Sequence, residues 1–233
     1  ATFEDLSINA AGTGYTLKAS SESLTSATSN SFDITPGSAD HFKVTGSAAM
    51  VAGDVQTITV TAYDLYGNIA TGYTGDKAIT FSGANASPNP ATAPTCRDKN
   101  SADMGVGSAT TISVTSGLGT SLLKLYKVET SHIQATDGSI TTASTNELTV
   151  VVTAGTKNKL LWVTQPSSPV TAGAVWATLT IEITDFYGNR TSSTDEVTVS
   201  PSSGRSFGGT AIKPATAGLV TFSDLVYGTP ESI

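Results

Sequence analysis

The sequence predicts an all-β protein built from tandem repeats. Charged residues make up 13% of the 233 residues and aromatic residues 7%, so small and β-branched residues dominate, which is typical of many short strands. Residues 57–62 and 178–183 alternate polar and apolar side chains, which places one face of each strand in a core. No sustained helical periodicity occurs, and no apolar run approaches the roughly 20 residues of a membrane-spanning helix. Membrane insertion is therefore not expected.

A five-residue turn occurs twice, each time directly after one of these alternating strands. Residues 64–68 read Asp-Leu-Tyr-Gly-Asn, and residues 185–189 read Asp-Phe-Tyr-Gly-Asn. An Asp carboxylate caps a turn, and Gly or Asn tolerates the positive φ that tight turns need. The two copies lie 121 residues apart, a spacing of whole domains, which predicts a tandem domain repeat.

The register of the turns divides the chain into one complete repeat and two complementary parts. Residues 37–154 form the complete repeat, and residues 155–233 restart it but lack its closing strands. Residues 1–36 match the end of the complete repeat at a constant offset of 116, with Leu17 matching Ile133. They are therefore interpreted as the closing strands of a repeat whose opening is absent.

The presence of complementary partial repeats at the two ends of the chain predicts that copies of the chain assemble. A β-domain that lacks its last strands exposes unpaired edges and an open core. We expect residues 1–36 of one copy to complete residues 155–233 of the next, a head-to-tail contact that builds a fibre. The alternative is that the chain is a slice of a longer repeat protein, completed covalently by its neighbours. In the first case the donated apolar face comprises Phe3, Leu6, Tyr15, Leu17, Phe32 and Ile34.

Charge and cysteine content exclude some partners. The formal net charge of −7 disfavours nucleic acid, which needs clustered Lys and Arg, and anionic membrane surfaces. The single cysteine, Cys96, lies in a Pro-rich stretch of residues 83–107 that is predicted to be a long loop, either functional or an insertion. Cys96 either links two chains through a disulfide or is an incidental free thiol.

Few residues suggest chemistry. Asp64 with Asn68, and Asp185 with Asn189, are weak calcium candidates, but each turn supplies few oxygen ligands, so turn capping is favoured. His41 and His132 have no partner at zinc-ligand spacing. Because there is also no nucleophile motif, phosphate-binding loop or paired carboxylates, we predict no enzyme activity, metal or cofactor.

Aromatic residues and two glycosylation sequons complete the candidates. Trp162 follows the alternation of a core strand and is expected to pack inside, whereas Trp176 is expected near a strand start, where it can be exposed. The sequons begin at Asn85 and Asn189. An alternative arrangement of the aromatic residues is a sugar-binding platform formed by Trp162, Trp176, Tyr63, Tyr66 and Tyr187.

Several segments together resemble the bacterial Ig-like repeats of large secreted surface proteins, including those of invasin and intimin. The segments are residues 2–9, 11–17, 34–37, 163–168 and 171–173, with the turn at residues 185–189. The resemblance implies tandem Ig-like β-sandwich domains of the kind found in adhesins, stalks, fibres and surface layers. The complete repeat departs from the pattern at residues 46–49 and in its Pro-rich stretch.

The expected function is therefore structural. The chain would be a non-catalytic subunit or segment of an extracellular surface fibre, adhesin stalk or surface layer, with copies of itself as partners. The alternative is an adhesive or glycan-binding accessory module of a large secreted protein, which would use residues 83–107 and exposed aromatics to bind host or surface glycans.

Overall fold

The computed structural model describes residues 2–202 and 205–228, and all regular elements in these ranges are β-strands. The all-β prediction is confirmed at the level of fold class. With no helix in the described ranges, none is present that could cross a membrane. The strands are β1 (Gly12–Tyr15), β2 (Lys18–Ser21), β3 (Leu24–Thr28), β4 (Phe32–Ile34), β5 (His41–Thr45), β6 (Ala49–Val51), β7 (Val55–Tyr63), β8 (Gly75–Ser82), β9 (Thr95–Arg97), β10 (Asp103–Gly105), β11 (Ala109–Thr115), β12 (Leu118–Lys124), β13 (Thr130–Thr136), β14 (Leu148–Thr153), β15 (Lys159–Thr164), β16 (Leu179–Thr184), β17 (Glu196–Thr198), β18 (Ile212–Pro214) and β19 (Leu219–Phe222).

The N-terminal segment, residues 2–36, carries two antiparallel pairs. Strand β1 pairs with β4, and β2 pairs with β3. Among the described strands these four pair only with one another. The segment has little core of its own, since the side chains of Phe3, Leu6 and Leu17 are 71%, 69% and 51% exposed.

The central region, residues 37–154, forms one hydrogen-bonded set of ten strands. One part contains β5, β7, β12, β9 and β10, and the other contains β11, β8, β13, β14 and β6. The hairpin between β11 and β12 joins the two parts, with Ser116 and Gly117 at φ of 47° and 83° in its turn. All these pairings are antiparallel except that of β14 with β6.

Alternate residues of both parts pack into a single core, as period-two patterning requires. In β7 the predicted core face is confirmed, because Ile58, Val60 and Ala62 are at most 3% exposed. Strand β14 adds Leu148, Val150 and Val152 to the same cluster. The core therefore lies between the two parts of the sheet, and β13 and β14 close one side of it.

The C-terminal region, residues 155–228 as described, has a smaller core of its own. Strands β15, β16 and β19 form one sheet, and β17 pairs with β18. The alternation predicted for β16 is confirmed, since Leu179, Ile181 and Ile183 are at most 5% exposed. In the described part of the chain, β17 has no second strand neighbour, whereas β8 of the central region lies between β11 and β13.

One sequence pattern occurs in two environments. Residues 221–225, Thr-Phe-Ser-Asp-Leu, begin in β19, and Phe222 and Leu225 are each 1% exposed. Residues 2–6, Thr-Phe-Glu-Asp-Leu, form no strand, and their Phe3 and Leu6 are exposed. The difference follows from pairing, because β19 lies against β16 and residues 2–6 have no described strand beside them.

Two predictions from the sequence are wrong: that Trp162 packs inside, and that residues 83–107 form a long loop. Trp162 on β15 is 46% exposed because no described strand covers that face. Residues 83–107 are not simply a loop, since they contain β9 and β10. Cys96 lies on β9, pairs with Leu123 of β12 and is fully buried.

Candidate functional site

The turn at residues 185–189 is stabilised by the carboxylate of Asp185. One carboxylate oxygen accepts the backbone N–H groups of Tyr187 and Asn189, each at 2.9 Å. The other accepts the side-chain amide of Asn189 at 2.8 Å and the backbone N–H of Gly155 at 3.0 Å. Since Gly155 lies between β14 and β15, one carboxylate holds both the turn and the link between the central and C-terminal regions.

Asn189 extends this contact into the central region. Its side-chain oxygen accepts the backbone N–H of Val128 at 2.8 Å, and its side-chain amide donates to the carbonyl of Tyr126 at 2.8 Å. Asn189 is only 4% exposed. We call the contacts of residues 185–189 with Gly155 and residues 126–128 the second joint.

The turn at residues 64–68 makes equivalent contacts with Gly37 and with the N-terminal segment. The carboxylate of Asp64 accepts the backbone N–H of Gly37 at 2.9 Å and the side-chain amide of Asn68 at 2.9 Å. It also caps its own turn through two backbone N–H groups. Asn68 in turn accepts the N–H of Ala11 at 2.9 Å and donates to the carbonyl of Asn9 at 2.7 Å. These contacts form the first joint, which ties the N-terminal segment to the central region.

The electrostatics of the first joint favour an ionised Asp64. The side-chain amide of Asn68 is the largest influence that lowers the pKa of Asp64 to about 2, with the backbone amides of Gly37, Asn68 and Tyr66 adding to it against the opposing effect of burial. Donated hydrogen bonds stabilise the charged form of a carboxyl group. Four N–H groups therefore donate to the two carboxylate oxygens of Asp64. Because these donors surround the oxygens, the carboxylate is not arranged to coordinate a cation.

The structure gives the metal candidates a different role. Asp64, Asn68, Asp185 and Asn189 are brought together in pairs, but as joint residues. Within residues 2–202 and 205–228, no group of three or more His, Cys, Asp or Glu side chains is placed to hold a metal ion. His132 contacts Glu147 and His41 contacts Asp40, so the two histidines do not meet.

The second joint also has an apolar side. The ring of Tyr187 packs on Gly53 so closely that a Cβ atom at Gly53 would lie 2.6 Å from it. Gly53 has a φ of +91°, which side chains rarely adopt. The ring centroids of Tyr187 and Tyr126 are 4.8 Å apart. Gly53 and Tyr126 therefore form the surface on which Tyr187 rests.

The Pro-rich stretch braces the second joint. The backbone N–H of Asn89 donates to the carbonyl of Tyr187 at 3.0 Å. The ammonium group of Lys159 donates to the carbonyls of Asn89 and Phe186, at 2.6 Å and 3.0 Å. A Cβ atom at Gly188 would lie 2.6 Å from the oxygen of Asn89. Part of residues 83–107 thus lies against the C-terminal region.

The first joint has no such apolar side in the described chain. Tyr66, which matches Tyr187, is 61% exposed. Asn9 stands in the position of Tyr126, and the position that matches Gly53 would precede residue 1. Among the described residues, the polar half of the joint is therefore found twice and the apolar half once.

A groove opens beside β15 in the C-terminal region. Its volume is about 390 Å³, and Leu160, Trp162, Trp176 and Phe207 are among its lining residues. Both tryptophans proposed for a sugar platform therefore line this groove. The three tyrosines lie elsewhere: Tyr63 stacks on His41, Tyr187 lies in the second joint, and Tyr66 lies at the first joint.

The matching face of the central region is covered. Phe42 and Val44, which correspond to Leu160 and Trp162, are 0% and 2% exposed. Their backbone N–H groups donate to the carbonyls of Thr141 and Asn146, in the segment that follows β13 and precedes β14. Within residues 2–202 and 205–228, nothing covers this groove of the C-terminal region in the way that residues 130–153 cover the matching face of the central region.

The structure also bears on two other kinds of candidate, the cysteine and the glycosylation sequons. The Cys96 side chain is fully buried on β9, which keeps it from reaching a second chain in the folded state, and burial raises the pKa of its thiol to about 12. The side-chain amide of Asn189 is engaged in the second joint and is not available for a glycan, whereas Asn85 is exposed and its amide contacts Glu129. The repeated turn in the sequence indicates the joint aspartates but assigns no role to Gly53, Asn89 or Lys159. A glycine stands ahead of each turn, Gly37 by 27 residues before Asp64 and Gly155 by 30 before Asp185, and this match is a sequence signal of a shared joint.

No protein-family model matches the chain, and no characterised protein matches its sequence significantly. Domains 4 and 5 of the S-layer protein SbsC align with a TM-score of 0.30 at 13% identity, covering 55% of this chain and 62% of that one. Domains 4–9 of SbsC give 0.33 at 15% identity, covering 89% and 34%. Trypsin-activated alpha-2-macroglobulin from Escherichia coli gives 0.29 at 11% identity, covering 82% and 13%. The chain spans less than two thirds of each, and TM-scores this low assign it neither a fold family nor a role.

Proposed function

We propose that this chain is a non-catalytic structural subunit or segment of an extracellular fibre, stalk or surface layer, built of Ig-like β-sandwich units joined in line. The observation that carries the proposal is the repeated joint, in which an Asp and an Asn hold the link and the preceding unit in the same way twice. Adjacent domains normally move relative to each other unless their interface is extensive. An array that bears tension needs the opposite, and each joint supplies it with hydrogen bonds centred on a buried aspartate, Asp64 or Asp185.

The second part of the proposal is head-to-tail completion. The occupant of the C-terminal groove is the N-terminal segment of a second copy. Leu17, Phe32 and Ile34 match Ile133, Leu148 and Val150 of the central region, which are 0%, 7% and 0% exposed. An extended segment that adds to an open sheet edge gains backbone hydrogen bonds and seats alternate side chains, and β17 offers such an edge.

The donated face is narrower than the sequence predicts. Phe3 and Leu6 match Phe222 and Leu225, which already occupy those positions in the C-terminal core. A second copy therefore has no vacant place there for Phe3 or Leu6. Leu17, Phe32 and Ile34 remain as the donated residues, and Tyr15 packs beside Phe32 with ring centroids 6.2 Å apart.

Sedimentation equilibrium and electron microscopy test the assembly. We expect concentration-dependent association and filaments, with a blue shift of tryptophan emission as Trp162 is covered. Leu17→Asp should abolish association, whereas Phe3→Asp, a change at an equally apolar and more exposed position, should leave it intact. A chain that stays monomeric at high concentration contradicts completion by a second copy and leaves covalent neighbours as the cover.

The groove also favours a second candidate, glycan binding, because Trp162 and Trp176 share it. Aromatic rings present apolar faces suited to the C–H faces of sugars. Titration of oligosaccharides against tryptophan emission tests this, and Trp162→Ala should abolish any response. An unchanged spectrum across a broad oligosaccharide panel would remove this candidate.

A further inference from the structure

The turn at residues 171–174 repeats the turn at residues 51–54. The N–H of Asp54 donates to the carbonyl of Val51 at 3.0 Å, and the N–H of Ala174 donates to the carbonyl of Thr171 at 3.1 Å. Both turns contain a glycine with positive φ, Gly53 at +91° and Gly173 at +78°.

Each glycine is also tied to the same place in its own unit. Gly53 donates to the carbonyl of Leu125, just after β12, at 2.8 Å. Gly173 donates to the carbonyl of Tyr227, beyond β19, at 2.9 Å. Strands β12 and β19 occupy matching positions beside β7 and β16. The surface around Gly173 is thus a second copy of the surface on which Tyr187 rests.

The two glycines differ in what covers them. A Cβ atom at Gly53 would strike the ring of Tyr187 at 2.6 Å, whereas a Cβ atom at Gly173 would meet nothing within 4 Å. Tyr66 shows the complementary deficit, because it matches Tyr187 but is 61% exposed. In the described residues, the surface around Gly173 therefore has no tyrosine packed on it, and Tyr66 has no glycine surface to pack on.

We propose that Tyr66 of one copy packs on Gly173 of a second copy. The inference rests on the proposed head-to-tail completion and specifies the contact that completion creates. Asn68 already holds Asn9 and Ala11 as Asn189 holds Tyr126 and Val128. When the N-terminal segment enters the groove as β13 and β14 enter the central core, residues 171–174 reach Tyr66 as residues 51–54 reach Tyr187.

The contact between copies thereby repeats the second joint, including the packing of a tyrosine ring on a glycine. The fibre would have one kind of joint along its length, whether the two units belong to one chain or to two. The inter-copy joint lacks the stacking of Tyr126, because Asn9 takes that position. It is therefore the weaker of the two and the place where the fibre separates first.

A pair of glycine substitutions tests the contact. Gly173 and Gly138 are both exposed, have positive φ and would place a Cβ atom in open space, so alanine imposes similar backbone strain at each. Gly173→Ala should weaken self-association about tenfold, which corresponds to about 1.4 kcal/mol, since overpacking a close contact is destabilising. Gly138→Ala should leave self-association unchanged.

Tyrosine variants and cross-linking supply a second readout. Tyr66→Ala should weaken association, and Tyr66→Phe should retain it. A photoreactive phenylalanine at position 66 should cross-link to a peptide that contains residues 171–174. If the chain associates but neither Gly173→Ala nor Tyr66→Ala changes it, this contact is wrong and strand completion stands. If the chain does not associate at all, both are wrong.

Discussion

Asn189 and Tyr126 are 63 residues apart in sequence, and the side-chain amide of Asn189 donates a 2.8 Å hydrogen bond to the carbonyl of Tyr126. The bond crosses from the C-terminal to the central region. Its counterpart joins Asn68 to Asn9 at 2.7 Å, over a separation of 59 residues. Because Asp185 and Asp64 orient these asparagines from within the same turns, each turn defines both its own shape and the placement of the unit before it.

Asn189→Ala should loosen the second joint. It removes the partners of Tyr126 and Val128, and we expect a loss of about 1–2 kcal/mol in the free energy of unfolding, because these backbone groups lie near the surface where water can replace the lost partner. Both tryptophans of the chain, Trp162 and Trp176, lie in the C-terminal region, so their emission during urea denaturation reports on it. Small-angle scattering should show a wider range of shapes.

Asn158→Ala is the matched control for this variant. Asn158 is exposed, and its hydrogen bond to Thr184 uses the backbone N–H, which alanine retains. Its unfolding midpoint and scattering profile should match those of the parent chain. A comparable loss in both variants would mean that the joint contributes nothing specific.

The stability of the first joint should depend on pH through Asp64. Its pKa is lowered from 3.8 to about 2 in the folded chain, so the unfolded chain binds a proton first as the pH falls. The contribution of Asp64 is therefore complete above about pH 4 and is lost as the pH decreases through about 2. Urea midpoints measured from pH 5 to pH 2 should fall less steeply for Asp64→Asn than for the parent. Asp54→Asn, at an exposed position, serves as the control, and parallel curves for all three proteins would contradict the role of Asp64.

Local patterns in the sequence predict the local structure here. The alternation in β7 and β16 correctly assigns Ile58 and Ile181 to cores, because the strand period alone decides which face a side chain takes. The turn after each strand follows from Asp and Gly, whose preferences are local. Contacts such as that of Asn68 with Ala11 depend on which loops the fold brings together, and no local preference encodes them.

The two incorrect predictions, for Trp162 and for residues 83–107, also have physical causes. Alternation places Trp162 on the inner face of β15 but does not say whether another strand covers that face. The prolines before Cys96 favour a loop, yet two three-residue strands, β9 and β10, fit after the last of them because β12 offers an edge to pair with. Composition averages over the stretch and misses such short pairings.

Cys96 should resist modification in the folded chain. Its thiol is fully buried and burial raises its pKa to about 12, so few thiolates form at pH 8 and reagents do not reach them. A thiol-reactive disulfide reagent should label Cys96 slowly in buffer and rapidly in urea. Rapid labelling of the folded protein, or a disulfide-linked dimer under non-reducing electrophoresis, would contradict this placement.

Gly53→Ala should cost more stability than Gly138→Ala, although both glycines have a φ of +91°. The backbone strain of alanine is therefore similar, roughly 1–3 kcal/mol at each position. Only at position 53 does the new Cβ atom meet the Tyr187 ring, at 2.6 Å, and overpacking of this kind adds about 1–3 kcal/mol. Urea denaturation of the two variants isolates the contact, because their difference in the free energy of unfolding cancels the strain. Adding Tyr187→Ala should remove the extra cost of Gly53→Ala, since the clash then has no ring to involve. Equal losses in the two single variants would show that Tyr187 does not bear on Gly53 in solution and that the apolar side of the second joint is open.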